Sequence, residues 1–185
     1  MDVAVFKPNG NVSENIILNV GRIIPIKGIK FRDITTLLKE PEAVSKTLKA
    51  LLTLTDGIKI DKVVGIESRG FIFGSMLAQK LDVGFILARK PGKLPAEIES
   101  ESYQLEYGTD KIEMHKDAIN KGDKVLLHDD LLATGGTAAA AAKLIEKLGG
   151  KVVQVSFVME LTFLKGREKL KGFPVKSIIT YDSED

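Results

Sequence analysis

Cysteine and tryptophan are absent from the chain, and it has only two histidines, His115 and His128. Without cysteine, a disulfide scaffold and a thiolate metal site are excluded, and the reducing cytoplasm is the simplest address. Two histidines do not make a His-rich metal site. Aromatic residues reach only 6%, too few for a platform that stacks nucleic-acid bases. Charge of one sign is also scarce: 27 Lys+Arg stand against 25 Asp+Glu, a net +2. That is too little for a nucleic-acid binder relying on bulk charge. No apolar run approaches the roughly 18 residues of a membrane span. The start, Met1-Asp2-Val3-Ala4-Val5-Phe6-Lys7-Pro8, lacks the basic-then-apolar pattern of a secretion signal. Two phosphate-binding strings are missing as well, the G-x-x-x-x-G-K-[ST] of P-loops and the G-x-G-x-x-G of dinucleotide folds. What remains is an ordinary globular composition, 44% hydrophobic and 28% charged over 185 residues, which suits one domain with a sizeable core.

The most informative stretch is Val125-Leu126-Leu127-His128-Asp129-Asp130-Leu131-Leu132-Ala133-Thr134-Gly135-Gly136-Thr137. An apolar strand-like run ends in two adjacent carboxylates. A small-residue loop with two hydroxyls and two glycines follows, and good helix formers fill 138–148. In α/β proteins such a junction holds a sugar phosphate: free N–H groups and the macrodipole at the helix start favour the anion. The carboxylates then accept hydrogen bonds from vicinal hydroxyls. Thr-Gly-Gly-Thr alone fits a tight turn equally well. The acidic pair directly at the strand end favours the ligand reading.

Along the rest of the chain, Ser13 and Glu14 open a short amphipathic helix with Ile16, Ile17 and Val20. Residues 22–30 read as a loop broken by Pro25 and Gly28. Phe31-Arg32-Asp33 follows, read from composition as a surface ion pair with Phe31 dipping into the core. Pro41 and Gly57 bracket a helix whose core stripe is Ala43, Val44, Leu48, Leu51 and Leu52. A buried strand at 62–66 ends in Glu67-Ser68-Arg69-Gly70, and a helix follows over 71–81. The next strand, 85–88, empties into Arg89-Lys90-Pro91-Gly92-Lys93. Three cations in five residues suit a polyanionic ligand, or else a solvated turn. Residues 94–102 read as irregular. Alternation over 103–107 and 112–114, with a turn at Gly108-Thr109-Asp110, predicts an antiparallel hairpin suited to a movable flap. A central strand at 124–128, a helix at 138–148 closed by Gly149-Gly150, a strand at 152–158, a basic helix at 165–171 and a last strand at 175–181 complete the pattern.

This order predicts an α/β fold: an open, mostly parallel twisted sheet flanked by helices. Ligands in such sheets sit beyond the carboxyl ends of strands, which is where 67–70, 89–93 and 129–137 fall. An acidic loop with anion-binding amides beside two cationic loops matches a hydroxylated ring between two phosphate-bearing ends. Phosphoribosyl pyrophosphate is such a molecule.

The segment Asp129-Asp130-Leu131-Leu132-Ala133-Thr134-Gly135-Gly136-Thr137 resembles the phosphoribosyl-pyrophosphate signature of the type I phosphoribosyltransferases. Four further segments are similar to that family's adenine-specific members, and occur in the same order: Gly28-Ile29-Lys30-Phe31-Arg32-Asp33-Ile34-Thr35, Gly65-Ile66-Glu67-Ser68-Arg69-Gly70-Phe71-Ile72-Phe73-Gly74, Arg89-Lys90-Pro91-Gly92-Lys93-Leu94-Pro95 and Ser102-Tyr103-Gln104-Leu105-Glu106-Tyr107-Gly108. The resemblance spans about residues 22–171. It implies the fold of that family, with an N-terminal arm and base-binding hood over 1–35 and a flexible flap over 94–115, all within a single domain of 1–185. The implied activity is transfer of the phosphoribosyl group to adenine, giving AMP and pyrophosphate with Mg²⁺. The metal would be held mainly by the ligand and water, so no protein metal site is implied. Ala133, Thr134, Gly135, Gly136 and Thr137 would cradle the 5′-phosphate, and Asp129 and Asp130 would hold the ribose hydroxyls. Glu67, Ser68, Arg69, Arg89, Lys90 and Lys93 would serve the pyrophosphate, with a non-proline cis peptide near Glu67-Ser68. Lys30, Phe31, Arg32 and Leu131 would receive the adenine, and Glu106 and Tyr107 on the flap would be catalytic. A homodimer in the cytoplasm is also implied.

Two other readings compete. One keeps the chemistry for a 6-oxo purine, whose acceptor calls for a cation that the Phe31 hood does not supply. The other is a regulator that binds phosphoribosyl pyrophosphate without catalysis, which would be expected to add a nucleic-acid-binding element or lose flap residues such as Glu106. His128 departs from the family pattern, in which an apolar strand residue is usual. It reads as a buried, hydrogen-bonded histidine or as a group tuning the acidic pair. Residues 1–25 also depart from the family's usual entry to the hood.

Overall fold

Residues 22–26, 29–104 and 108–183 are described in the computed structural model, the side chains from residue 34 onward. Five runs of aliphatic and β-branched residues form one parallel sheet: β3 (Lys62–Ile66), β4 (Gly84–Ala88), β7 (Lys124–Leu132), β8 (Lys151–Leu161) and β9 (Val175–Tyr181), in the order β4-β3-β7-β8-β9. Parallel strands are covered on both faces, which is why they read as near-continuous apolar runs. Neighbouring residues on a strand serve opposite faces. Val64, Leu127 and Phe157 join one core cluster with Ala141, Leu144 and Ile145 of helix α4 (Gly136–Lys147). Val63, Leu126 and Val158 join a second cluster with Leu51 of α2 (Pro41–Thr53) and Phe73 and Leu77 of α3 (Gly70–Leu81). The helix brackets read from the sequence hold to within a few residues. Pro41 opens α2 at its first position, where its missing N–H costs nothing. A four-residue helix, α1 (Thr35–Leu38), precedes it.

The remaining strands form two antiparallel hairpins outside the sheet: β1 (Arg22–Ile26) with β2 (Ile29–Asp33), and β5 (Ile98–Gln104) with β6 (Thr109–His115). Four sequence readings are corrected here. Residues 22–26 and 29–30 are strand rather than loop, since Arg22 pairs with Asp33 and Pro25 with Lys30. A proline is tolerated because both strands of a two-stranded ribbon are edges. Residues 98–102 are not irregular but belong to β5, whose polar Ile-Glu-Ser-Glu-Ser-Tyr-Gln is held by its partner strand and by Lys147 of α4 donating to Glu99 at 2.6 Å. The central strand does not stop at 128. The β8 ladder continues to Leu132↔Glu160 and draws Asp129 and Asp130 into β7. The basic helix is of the 3-10 type and spans Gly166–Leu170, shorter than the 165–171 read from the sequence. The helix expected from Ser13 lies outside the described residues.

Chain order sets the site. From β3 the chain crosses to β4 on one side, then returns to β7 on the other side of β3. The reversal lies between β3 and β7, and a crevice opens at the carboxyl ends of strands at such a switch point.

Candidate active site

Helix α4 begins at that crevice. Its N-cap is Gly135, held at φ +75° in the left-handed region, and no side chain caps the first turn. No acidic residue sits in that turn, so no carboxylate within it repels an anion from its N–H groups. Asp129, Leu131, Leu132 and the loop 133–138 line a recess of about 90 Å³ around this helix start. Gly135 is required twice over. Its φ favours glycine, and a Cβ there would stand 2.3 Å from the carbonyl oxygen of Gly166.

The acidic pair lies on the strand just before this loop. Asp130 is 3% exposed and makes an ion pair with Arg69, whose Nε lies 2.9 Å from Oδ2. Asp129 accepts the Asp130 backbone N–H at 2.9 Å. Burial, and then the neighbouring Asp130 charge, push the Asp129 carboxyl well above the usual carboxylate range. Such a group is stabilised by anything that brings positive charge or donating hydroxyls. His128, one residue earlier, is fully buried with Nδ1 2.9 Å from the Ser156 hydroxyl. Burial lowers its pKa from 6.5 to about 3, so the ring is neutral at physiological pH. Gly70, which opens α3, leaves space for this strand: a Cβ on it would meet the His128 carbonyl at 2.8 Å and Asp129 Oδ1 at 2.9 Å.

Two cationic loops flank the pair. The Glu67-Ser68 peptide is cis, at the position expected. The Glu67 carboxylate accepts from Arg89 Nη2 at 3.0 Å, from Arg89 Nε at 3.2 Å and from the Lys90 backbone N–H at 2.8 Å. The Arg89 hydrogen bond holds its pKa below the usual range. Arg89 Nη1 also donates to the Lys93 carbonyl at 3.1 Å, so this guanidinium shapes the 89–93 loop. Lys90 is tied to the hairpin: its ammonium donates to the Tyr103 hydroxyl at 2.6 Å and pairs with Asp110. Burial works against the Lys90 charge, but the bonds to Asp110 and Tyr103 outweigh it and raise its pKa. The Arg89 and Glu113 backbones exchange hydrogen bonds at 2.9 and 2.8 Å, stitching the loop to β6.

Tertiary structure thus joins Arg69 to Asp130, ties Arg89 and Lys90 to Glu67 and Arg89 to the Lys93 carbonyl, and lines the recess at the helix start with Asp129, Leu131 and the 133–137 loop. Lys30, Phe31 and Arg32 lie on β2, of which the backbone alone is described. Glu106 and Tyr107 lie outside the described residues. Sequence reasoning missed Tyr103, Asp110 and Glu113 as partners of the cationic loop. It also missed a fourth loop, the one after β8. There Glu160, 2% exposed, is gripped by Arg167 through bonds of 2.6 and 2.7 Å and by Ser177 at 2.7 Å. Burial raises the Glu160 pKa, but these bonds outweigh it and the net shift is downward. A Cβ on Gly166 would sit 2.2 Å from the Ala133 carbonyl, so two backbones touch at the 133–137 loop. The charge alternation of Gly166-Arg167-Glu168-Lys169 was the available signal, but its partner Glu160 could be found only once β8 was placed.

The family model of the phosphoribosyl transferase domain matches residues 33–181. An adenine phosphoribosyltransferase of Christiangramia forsetii is 60% identical over 157 residues, covering 85% of this chain and 92% of that protein. Among solved structures, an adenine phosphoribosyltransferase from Thermoanaerobacter pseudethanolicus superposes with TM-score 0.89 at 50% identity, covering 91% of this chain and 99% of that one. The enzyme of the same kind from Saccharomyces cerevisiae, complexed with an imino-altritol bisphosphate and adenine, gives 0.84 at 42% identity, covering 90% and 98%.

Proposed function

The chain belongs to the phosphoribosyl transferase family, and from that premise we infer that it transfers the 5-phosphoribosyl group of phosphoribosyl pyrophosphate to adenine, releasing AMP and pyrophosphate. It is a glycosyltransferase of the pentosyl class, making AMP by purine salvage. The observation that carries this reading is the pairing of an acidic strand end, Asp129-Asp130, with the uncapped start of α4 at the switch point of the sheet.

The 5′-phosphate sits on the backbone N–H groups of residues 133–137. The ribose hydroxyls donate to Asp129 and Asp130. Such donors suit Asp129, whose charge its surroundings disfavour. Pyrophosphate lies toward the cis peptide of Glu67-Ser68, with Arg69, Arg89, Lys90 and Lys93 around it. There it competes with Asp130 for Arg69, with Glu67 for Arg89 and with Asp110 for Lys90. Among the described residues, no cluster of three or more acidic, His or Cys side chains could hold a metal ion. A carboxylate pair without a cage fits Mg²⁺ that arrives on the ligand's oxygens and keeps its waters; when bound, it neutralises charge developing on pyrophosphate.

The bond from C1′ to the pyrophosphate oxygen breaks as a ring nitrogen of adenine bonds to C1′, through an oxocarbenium-like state. The nitrogen's proton passes to Glu106, with Tyr107 beside it on the flap. Adenine lies between Phe31 and Leu131, with the Lys30 main chain at its edge and Arg32 ordering the hood. Closure of the flap, residues 94–115, excludes the water that would hydrolyse the activated sugar. The hood, sheet and flap form a single domain over 1–185. Family membership supports a homodimer working in the cytoplasm, and no helix among the described residues is long and apolar enough to cross a membrane.

The test is to incubate the protein with Mg²⁺, phosphoribosyl pyrophosphate and each purine in turn, and to quantify nucleotide and pyrophosphate. AMP and pyrophosphate in equal amounts from adenine are expected. Nucleotide formed from hypoxanthine or guanine alone, or no nucleotide, would overturn the reading.

A further inference from the structure

The 3-10 segment Gly166–Leu170 has the form of a strut against the phosphate loop. Gly166 touches the Ala133 and Gly135 backbones, Arg167 is locked onto buried Glu160, and Leu170 is 1% exposed in the core. Three of its five residues are therefore fixed, one by backbone contact and two by their side chains, and they carry Lys169 to the start of α4. Its ammonium lies 3.9 Å from where a Cβ on Gly136 would stand. It shares the wall of a cavity of about 400 Å³ with Gly136, Tyr103 and Lys143.

A phosphate monoester carries close to two negative charges at neutral pH. The helix start offers only the equivalent of about half a positive charge. The cradle's own residues, Ala133 to Thr137, include no cation. Three flanking cations are engaged elsewhere: Arg69 with Asp130, Arg89 with Glu67, Lys90 with Asp110. Lys143 is seven residues past Gly136 on the helix, about 10 Å along its axis. Among the described residues, Lys169 is a cation whose ammonium the fold brings to Gly136 at the cradle's edge.

From this geometry we propose that Lys169 binds the 5′-phosphate of the phosphoribosyl ligand, reaching the cradle from the segment after β8. The proposal rests on the reaction inferred above. Arg167, through Glu160, is a positioning residue for it.

The experiment compares Lys169→Gln, Lys169→Arg and Lys143→Gln with the wild type by calorimetric titration of AMP, adenosine and ribose 5-phosphate. Lys169→Gln is expected to weaken AMP and ribose 5-phosphate about tenfold, the scale of one charge-assisted contact, and to leave adenosine unchanged. Lys169→Arg should bind nearly as the wild type, and the loss should shrink as salt screens the charge. Unchanged AMP affinity in Lys169→Gln, an equal loss for adenosine, or an equal loss in Lys143→Gln would each overturn the assignment. A wild type that makes no AMP from adenine would sink the reaction instead, and the ribose 5-phosphate titration still decides the lysine.

Discussion

Gly135 and Gly166 meet backbone to backbone at the 133–137 loop, and this contact makes both positions intolerant of a single methyl group. Gly135→Ala places a Cβ 2.3 Å from the Gly166 carbonyl, at a φ of +75°. Strain and overpacking together are expected to destabilise the fold by about 3 kcal/mol, read as a lower urea midpoint with unchanged m-value. Gly136 differs: the nearest atom to its added Cβ is 3.4 Å away. Side chains at the two positions should therefore separate, the first costing stability and the second phosphate binding. Glu106→Gln belongs to the same scale. In its proposed role as the base for the adenine proton, its loss should lower kcat by about 100-fold or more while phosphoribosyl-pyrophosphate affinity changes little. A loss confined to affinity would argue against proton transfer.

Among the elements, the β5–β6 hairpin and the 89–93 loop are coupled. Lys90 pairs with Asp110 under the Tyr103 ring, and Gly92 N–H donates to Glu113 at 3.0 Å. The loop proposed to meet pyrophosphate thus also holds the β5–β6 hairpin, so under that proposal ligand binding there competes with the hairpin's anchor. Asp110→Asn removes the charge of this anchor. Because Lys90 is partly exposed, an opening cost of about 0.5–1 kcal/mol is expected to vanish, seen as faster amide hydrogen exchange across 98–104 and 109–115. Exchange confined to its wild-type rate would show that the hairpin is held by its ladder and by α4 alone.

For the whole molecule, buried titratable groups on β7 link stability to pH in opposite directions. His128 has its pKa lowered from 6.5 to about 3. Between those values the unfolded chain binds a proton that the native state refuses, so stability falls as pH drops. The loss is about 2 kcal/mol between pH 6.5 and about pH 5. Asp129 has a raised pKa, so the native state keeps a proton that the unfolded chain releases, and its contribution falls as pH rises above 3.8. Glu67 and Asp110, both lowered, contribute stability above ordinary carboxylate values that is lost as pH falls below them. Comparing His128→Gln with the wild type isolates the histidine. The variant's urea midpoint should vary less with pH from about pH 5 to 6.5, and parallel curves would contradict the burial assigned to the ring.

The sequence by itself determined the fold class, the strand-loop-helix junctions at 67–70 and 129–137 and the cationic loop at 89–93. These features are local: strand runs, turn glycines and charge spacing are written in contiguous residues. Only the tertiary structure decided what those residues touch. Asp129 and Asp130 entered β7 because β8 extended the ladder to Glu160. Arg22–Ile26 became a strand because Ile29–Asp33 pairs with it. Arg69, Arg89 and Lys90 found carboxylates 61, 22 and 20 residues away in sequence. Lys169 reached Gly136 at the start of α4 because Glu160 and Gly166 fixed the segment that carries it. Pairing across a sheet and charge neutralisation at a crevice depend on which chain ends meet in space, and no window of sequence contains both partners.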